Sequence, residues 1–277
     1  MSYEATCQKL KEQYDGYHFT EKSEGLYNPF CLLSVFNAMT FDNYWFKTGT
    51  PDLLVELLKH SHYNLYEMAN FEAGTRALIS IDPASKDPLP IIYQSGYLTI
   101  KGYEPEFGLY KLGFPNREVE EGFVKYLFPH YININALKVS TELKQLVREV
   151  ESGNYDAFFR RLQSFFADTP YEVITGQKPE RDTELHYQNV LFIVFRLVGL
   201  YTKVEYHTSN GRIDLVLQTD RYIYSMEFKL NGTAEEALRQ IDEKQYALPF
   251  ANDERKLFKI GVNFSSETRN IERWMVE

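Results

Sequence analysis

The chain has 277 residues, 44% hydrophobic and 16% aromatic, enough to bury a sizeable core and consistent with one large domain or two small ones. A formal charge of −9 excludes a surface coated in basic residues for nucleic acid. From Arg181 to the end there are 15 acids and 13 bases, a net of −2 that leaves −7 on the first 180 residues. Any polyanion contact is therefore local and belongs in the C-terminal part. Cys7 and Cys31 lack metal-ligand spacing and are too few for a secreted disulfide scaffold. The longest apolar run, "NVLFIVFRLVGLY", is broken by Arg196 and is too short to span a bilayer. The N-terminal segment lacks the apolar core of a signal peptide. These features lead us to expect a cytoplasmic chain with no membrane contact.

The first 60 residues read as mainly helical. In "NPFCLLSVFNAM", Asn28 caps a helix with Pro29 at its first position, and "TPDLLVELLKH" repeats that logic with Thr50 and Pro51. From about Asp87 the pattern becomes a short helix and two strands, near Tyr97–Lys101 and Gly108–Leu112. A helix capped by Asn116 follows. That order fits a winged-helix-like unit or a plain α+β connector, and both readings stand. "STELKQLVREVESG" and "YDAFFRRLQSFFAD" add two helices, and the Pro/Gly-bearing loop Thr169–Pro179 marks a domain boundary.

The last hundred residues predict a helix capped near Asp182 and stopped around Gly199, then strands "KVEYHT", "RIDLVLQ" and "YIYSMEFKL". Next come a helix opening on a Thr233/Glu236 capping box, a strand "KLFKIGVNF" and a closing helix in "SSETRNIERWMV". Centring the middle hairpin on Asp220–Arg221 pairs Thr219 with Tyr222. It then sets Asp214 directly opposite Glu227 and Arg212 opposite Lys229. Opposed residues on one sheet face stand about 5 Å apart at Cβ. Two facing carboxylates repel unless a cation lies between them, and Lys229 alone does not neutralise both. A divalent metal would. An exposed cross-strand charge ladder is the other reading, although both strands are otherwise apolar.

The segments "GRIDLVL", "YSMEFKL", "ALRQIDEKQYA" and "KIGVNFS", in that order, resemble the PD-(D/E)XK nuclease superfamily. More narrowly they resemble the nuclease-like domain found behind an AAA-ATPase-like domain in bacterial proteins. "YDGYHF", "LYNPF", "YWFKTGTPDLL", "YQSGYLTI" and "LGFPNREV" look like the tail of that ATPase-like domain. The resemblance implies an α+β / α/β chain in three parts. Residues 1–130 would be a helical, winged-helix-like remnant, 131–175 a helical connector, and 176–277 an α-β-β-β-α-β restriction-endonuclease-like domain. It implies Asp214 and Glu227 as ligands of Mg²⁺ or Mn²⁺, with the Phe228 carbonyl a third. Lys229 would position the attacking water and stabilise the phosphate. The Pro-Asp step of the family is Ile213-Asp214 here. No G-x-x-x-x-G-K-[ST] occurs, nor any Gly-Lys dipeptide, so no ATPase activity is expected. A missing N-terminal domain or a separate ATPase partner would follow.

The remaining candidates each carry two readings. Glu184 serves its helix dipole or is the family's helix glutamate. Gln240 is a solvated helix residue or, as the resemblance implies, supports the lysine or the metal water. Arg212 is a plausible phosphate contact, and Glu205 a weak fourth carboxylate. Tyr246 belongs with Gln240 or to the core, and the core is favoured in a chain this rich in Tyr; His186 reads as structural, and His60/His62 as a surface pair. The function is either hydrolysis of nucleic acid, DNA in the first instance, or binding of nucleic acid or protein by a catalytically silent module of a defence or mobile-element system.

Overall fold

The computed structural model describes residues 1–47, 52–61, 63–68, 71–79, 87–132, 134–167, 179–209 and 212–277. It divides into two compact units, Met1–Leu127 and Phe128–Glu277. The described residues form a mixed α+β chain of eleven α-helices and two sheets.

The first unit opens with α1 (Tyr3–Tyr14), capped by Ser2, whose hydroxyl accepts from the Ala5 amide. In α2 (Pro29–Ala38) the Asn28 side chain accepts from the amides of Phe30 and Cys31, the expected cap. Next is α3 (Asp52–His60); its expected cap Thr50 and the following Pro51 lie outside the described residues, as does His62. After α4 (Leu65–Met68) come β1 (Phe71–Gly74), α5 (Thr75–Ile79), α6 (Leu89–Gln94), β2 (Thr99–Glu104) and β3 (Leu109–Gly113). The expected hairpin is thus present, and β1 joins it in an antiparallel sheet of order β1-β3-β2. Four residues of "FEAG" are too short to display an alternation, which is why β1 escapes a sequence reading. Asn116 caps α7 (Arg117–Tyr131) by accepting from Val119 N at 3.1 Å.

The second unit holds α8 (Val139–Glu151), α9 (Tyr155–Ala167) and α10 (Pro179–Gly199). It continues through β4 (Lys203–Ser209), β5 (Arg212–Gln218), β6 (Tyr222–Leu230), α11 (Ala234–Glu243), β7 (Lys256–Ser265) and β8 (Asn270–Val276). The expected α-β-β-β-α-β order is present. The sheet order is β4-β5-β6-β7-β8, with β6 and β7 parallel and every other pair antiparallel. A parallel pair needs a crossover, and α11 supplies it.

Three expectations are corrected. Helix α10 starts at Pro179 rather than near Asp182, so Glu184 sits in its second turn. The segment after β7 is a strand and not a closing helix. Ser265 Oγ accepts from the amides of Glu267 and Thr268, Arg269 takes φ 54, and the chain reverses into β8. The open edge of β7 offers unpaired backbone groups, and β8 pairs with them in an antiparallel ladder. Helix α11 stops at Glu243 instead of running to Phe250, because Gln245 adopts φ 55.

The two faces of this sheet differ. Phe228 lies 6.5 Å from Phe159 of α9, 6.1 Å from Phe195 of α10 and 6.0 Å from Phe264, ring centre to centre. The opposite face carries Glu227, Lys229, Gly261 and Asn263, and α11 packs there. Among the described residues no helix is long and apolar enough to cross a membrane.

Candidate active site

The β5–β6 hairpin has the register inferred from its turn. Thr219 N donates to Tyr222 O at 2.8 Å, Asp214 pairs with Glu227, and Arg212 pairs with Lys229. The side chains of Asp214 and Arg212 lie outside the described residues, so their places rest on register alone. Glu227 is fully buried. A buried carboxylate demands a cation or several donors around it, since desolvation opposes the charged form.

Lys229 is half-buried, and its Nζ donates to Gln240 Oε1 at 2.6 Å. That bond fixes the ammonium on the Glu227 face and assigns Gln240, itself only 8% exposed, to the lysine rather than to solvent. The Gln240 Nε2 is buried and has no hydrogen-bond partner among the described residues.

Helix α11 is held in place from both ends of its contact. Thr233 Oγ1 accepts from Glu236 N at 3.0 Å while Thr233 N donates to Glu236 Oε2 at 3.1 Å, the expected capping box. Farther along, α11 lies so close to β7 that a Cβ at Gly261 would fall 2.2 Å from the Ala234 carbonyl oxygen. Gly261 is the register partner of Glu227, so this close approach brings Gln240 within reach of Lys229.

Phe228 is 2% exposed and turns its ring to the aromatic face. Glu184 is half-buried and accepts from Gln188 Nε2 at 3.2 Å. One turn on, Tyr187 donates to Ser265 O at 3.2 Å and its ring stacks 4.9 Å from Phe264. Tyr187 thus ties α10 to the end of β7, and Glu184 lies one turn before it on the helix. Glu205 is exposed, ion-paired with Lys203 at 3.0 Å, and sits opposite Val216, one pair away from Asp214.

Two positions escaped the sequence reading. His207 on β4 pairs in register with Asp214. Asn263 on β7 pairs with Lys229, is 8% exposed, and donates through Nδ2 to Glu272 Oε2 at 3.0 Å. The alternation in "KIGVNF" puts Asn263 on the Gly261 face, but only the parallel pairing of β6 and β7 reveals its neighbour. His186, read as structural, is buried and stacks on Tyr131 with centroids 6.4 Å apart. Burial pulls its pKa down to about 4. Among the described residues no group of three or more His, Cys, Asp or Glu is arranged to hold a metal ion.

Residues 182–274 match the family model of the PD-(D/E)XK nuclease superfamily. The whole chain is similar to an Azotobacter chroococcum mcd 1 protein named "Uncharacterized protein in vnfD 5'region". The two are 30% identical over 276 residues, which is 97% of this chain and 52% of that protein. The chain thus spans about half the length of the curated relative it matches. No solved structure matches it. The C-terminal part is a PD-(D/E)XK-like domain within a mixed α+β chain.

Proposed function

We propose that the C-terminal unit is a Mg²⁺- or Mn²⁺-dependent nuclease that hydrolyses phosphodiester bonds of nucleic acid, DNA in the first instance. The observation that carries this reading is the Lys229–Gln240 bond beside the register pair of Asp214 and Glu227. The donor set suits a hard divalent ion, being two carboxylates at opposed positions with the Phe228 carbonyl between Glu227 and Lys229. Such an ion, when bound, acidifies water and neutralises charge on the phosphate.

The protein's own groups do the rest. Asp214 and Glu227 hold the ion, and the burial of Glu227 keeps its carboxylate from reorganising. Lys229, oriented by Gln240, stabilises the negative charge that develops on the phosphate and draws the attacking water into line. The unpartnered Gln240 Nε2 is a further donor to substrate or water. Arg212, next to Asp214 on the same strand face, contacts a flanking phosphate. Glu184, the helix glutamate that the resemblance implies, is the further acid assigned to this site.

A binding module without catalysis is the second reading, favoured by the formal charge of −9. The resemblance of residues 1–130 to the tail of an ATPase-like domain supports a separate proposal, that an ATPase segment or partner works with this chain. Co-purification with a stimulated ATPase would test it. For the nuclease, the test is Mg²⁺ or Mn²⁺ calorimetry on the wild type and Asp214→Ala, with cleavage assayed on single- and double-stranded DNA and RNA. Metal-dependent cleavage lost in the mutant sustains the proposal. No metal bound by the wild type, even with nucleic acid present, refutes it and leaves the binding module.

A further inference from the structure

We infer that the candidate site continues into a pocket that receives one unpaired nucleobase of the substrate, next to the scissile phosphate. The inference rests on the nuclease reading and deepens it. A cavity of about 500 Å³ opens on the same side of the sheet, with Val216 and Ser225 in its floor and Tyr246, Pro249 and Phe250 in its wall. Val216 and Ser225 are register partners, the next pair on that face after Asp214 and Glu227. Two residues of strand separate the pairs by about 7 Å. That is roughly the reach of one nucleotide in an unstacked strand.

The chemistry of the lining favours a base over an aliphatic ligand. Two aromatic rings and a proline offer stacking surface, and the Ser225 hydroxyl and Gln245 amide offer groups for a base edge. The wall is built at some cost: Gln245 adopts φ 55, a left-handed conformation in which a side chain other than glycine is strained. That residue ends α11 and brings Tyr246 to the cavity. A cation stands over one residue of the wall. Lys244 is one helical turn beyond Gln240, and its Nζ stands 5.4 Å over the Tyr246 ring. From Lys229 through Gln240 and Lys244 to Tyr246, one helix and its trailing segment run from the proposed catalytic lysine to the pocket. A phosphate at the lysines and its base against Tyr246 fit that line. Bases in a duplex are stacked and paired, so the ligand is a single strand or a flipped nucleotide.

The test is saturation-transfer NMR of the full chain with AMP, GMP, CMP and UMP at millimolar concentration and with Mg²⁺ present. At least one base is expected to receive saturation. Tyr246→Ala should weaken that binding by about tenfold or more, while Tyr246→Phe stays within about twofold because stacking needs the ring and not the hydroxyl. Val216→Phe, which fills the floor and leaves the wall intact, should also weaken it. Circular dichroism checks each variant, and if Tyr246→Ala unfolds, Val216→Phe decides. The inference is overturned if no nucleotide binds, or if binding is indifferent to the decisive variant. The two proposals fail separately. Nucleotide binding without any metal-dependent cleavage retains the pocket and refutes the nuclease, and cleavage with binding indifferent to these variants does the reverse.

Discussion

Gly261→Ala puts the packing of the site under direct strain. The added methyl would lie 2.2 Å from the Ala234 carbonyl oxygen, 2.5 Å from Leu238 N and 3.1 Å from Ala237 Cβ. The first two are main-chain atoms of α11 and its entry, so no rotamer change relieves them and the helix itself must lift, by about 1 Å, to restore ordinary contact. Overpacking of this kind costs about 1–3 kcal/mol, and rigid main-chain partners put this case at the upper end. The Lys229–Gln240 bond, 2.6 Å in the native chain, would stretch beyond hydrogen-bonding range. Because the proposed metal ligands Asp214 and Glu227 sit on β5 and β6, metal affinity should hold while the proposed cleavage falls, by about 100-fold for a 1 Å misplacement. Urea unfolding in a Trp45→Phe background follows the second unit through Trp274, with calorimetry and cleavage rates on the same samples. An unchanged midpoint together with an unchanged rate would refute the argument that close approach of α11 assembles the site.

Other outcomes follow from single interactions. Under the proposed mechanism Lys229→Met should lower metal-dependent cleavage by about 100-fold or more and leave metal affinity unchanged by calorimetry, since it removes the proposed charge stabilisation and no proposed ligand. Burial holds the His186 pKa near 4, below its ordinary value of 6.5. As pH falls, the unfolded chain takes this proton first, so stability present above pH 6.5 is lost progressively toward pH 4. That loss reaches about 3 kcal/mol at most, and the wild type should lose more of it than His186→Phe in urea titrations across that window. Tyr224 donates to Val150 O at 2.5 Å in a buried setting, and Tyr224→Phe should cost about 1 kcal/mol in the same unfolding assay. Thr233→Ala removes half of the α11 capping box and should cost about 1 kcal/mol.

What the sequence makes legible here is what local rules control. The β5–β6 register follows from the position of a two-residue turn, so Asp214 opposite Glu227 and Arg212 opposite Lys229 can be worked out on paper. The Asn28, Asn116 and Thr233 caps are local in the same way. The parallel pairing of β6 with β7 is not, because the two strands are joined through α11 and no turn fixes their offset. Gly261 and Asn263 thus entered the reading as ordinary strand residues, although they neighbour Glu227 and Lys229. The β8 segment was misread for a related reason. Its fate depends on the open edge of β7, a feature that exists only once the sheet is assembled. Glu184 shows a third limit, since its helix start is shifted by three residues and its face is set by Tyr187 and Phe264 at the far end of the chain.

The division of labour between the sheet faces explains why a fully buried glutamate is tolerable in this unit. Phe158, Phe159, Phe195, Phe228 and Phe264 pack on one side, where large rings dominate burial. The other side meets α11 through small residues, Ala234 and Ala237 against Gly261. Close main-chain approach at Gly261 sets the height of α11 over the sheet, Leu238 and Ile241 of α11 are buried as well, and the Lys229–Gln240 side-chain bond depends on that placement. Enlarging a residue on this face therefore threatens the site before the fold, while truncating one on the aromatic face threatens the fold before the site. A mutational scan that found activity and stability lost in step on both faces would contradict this account.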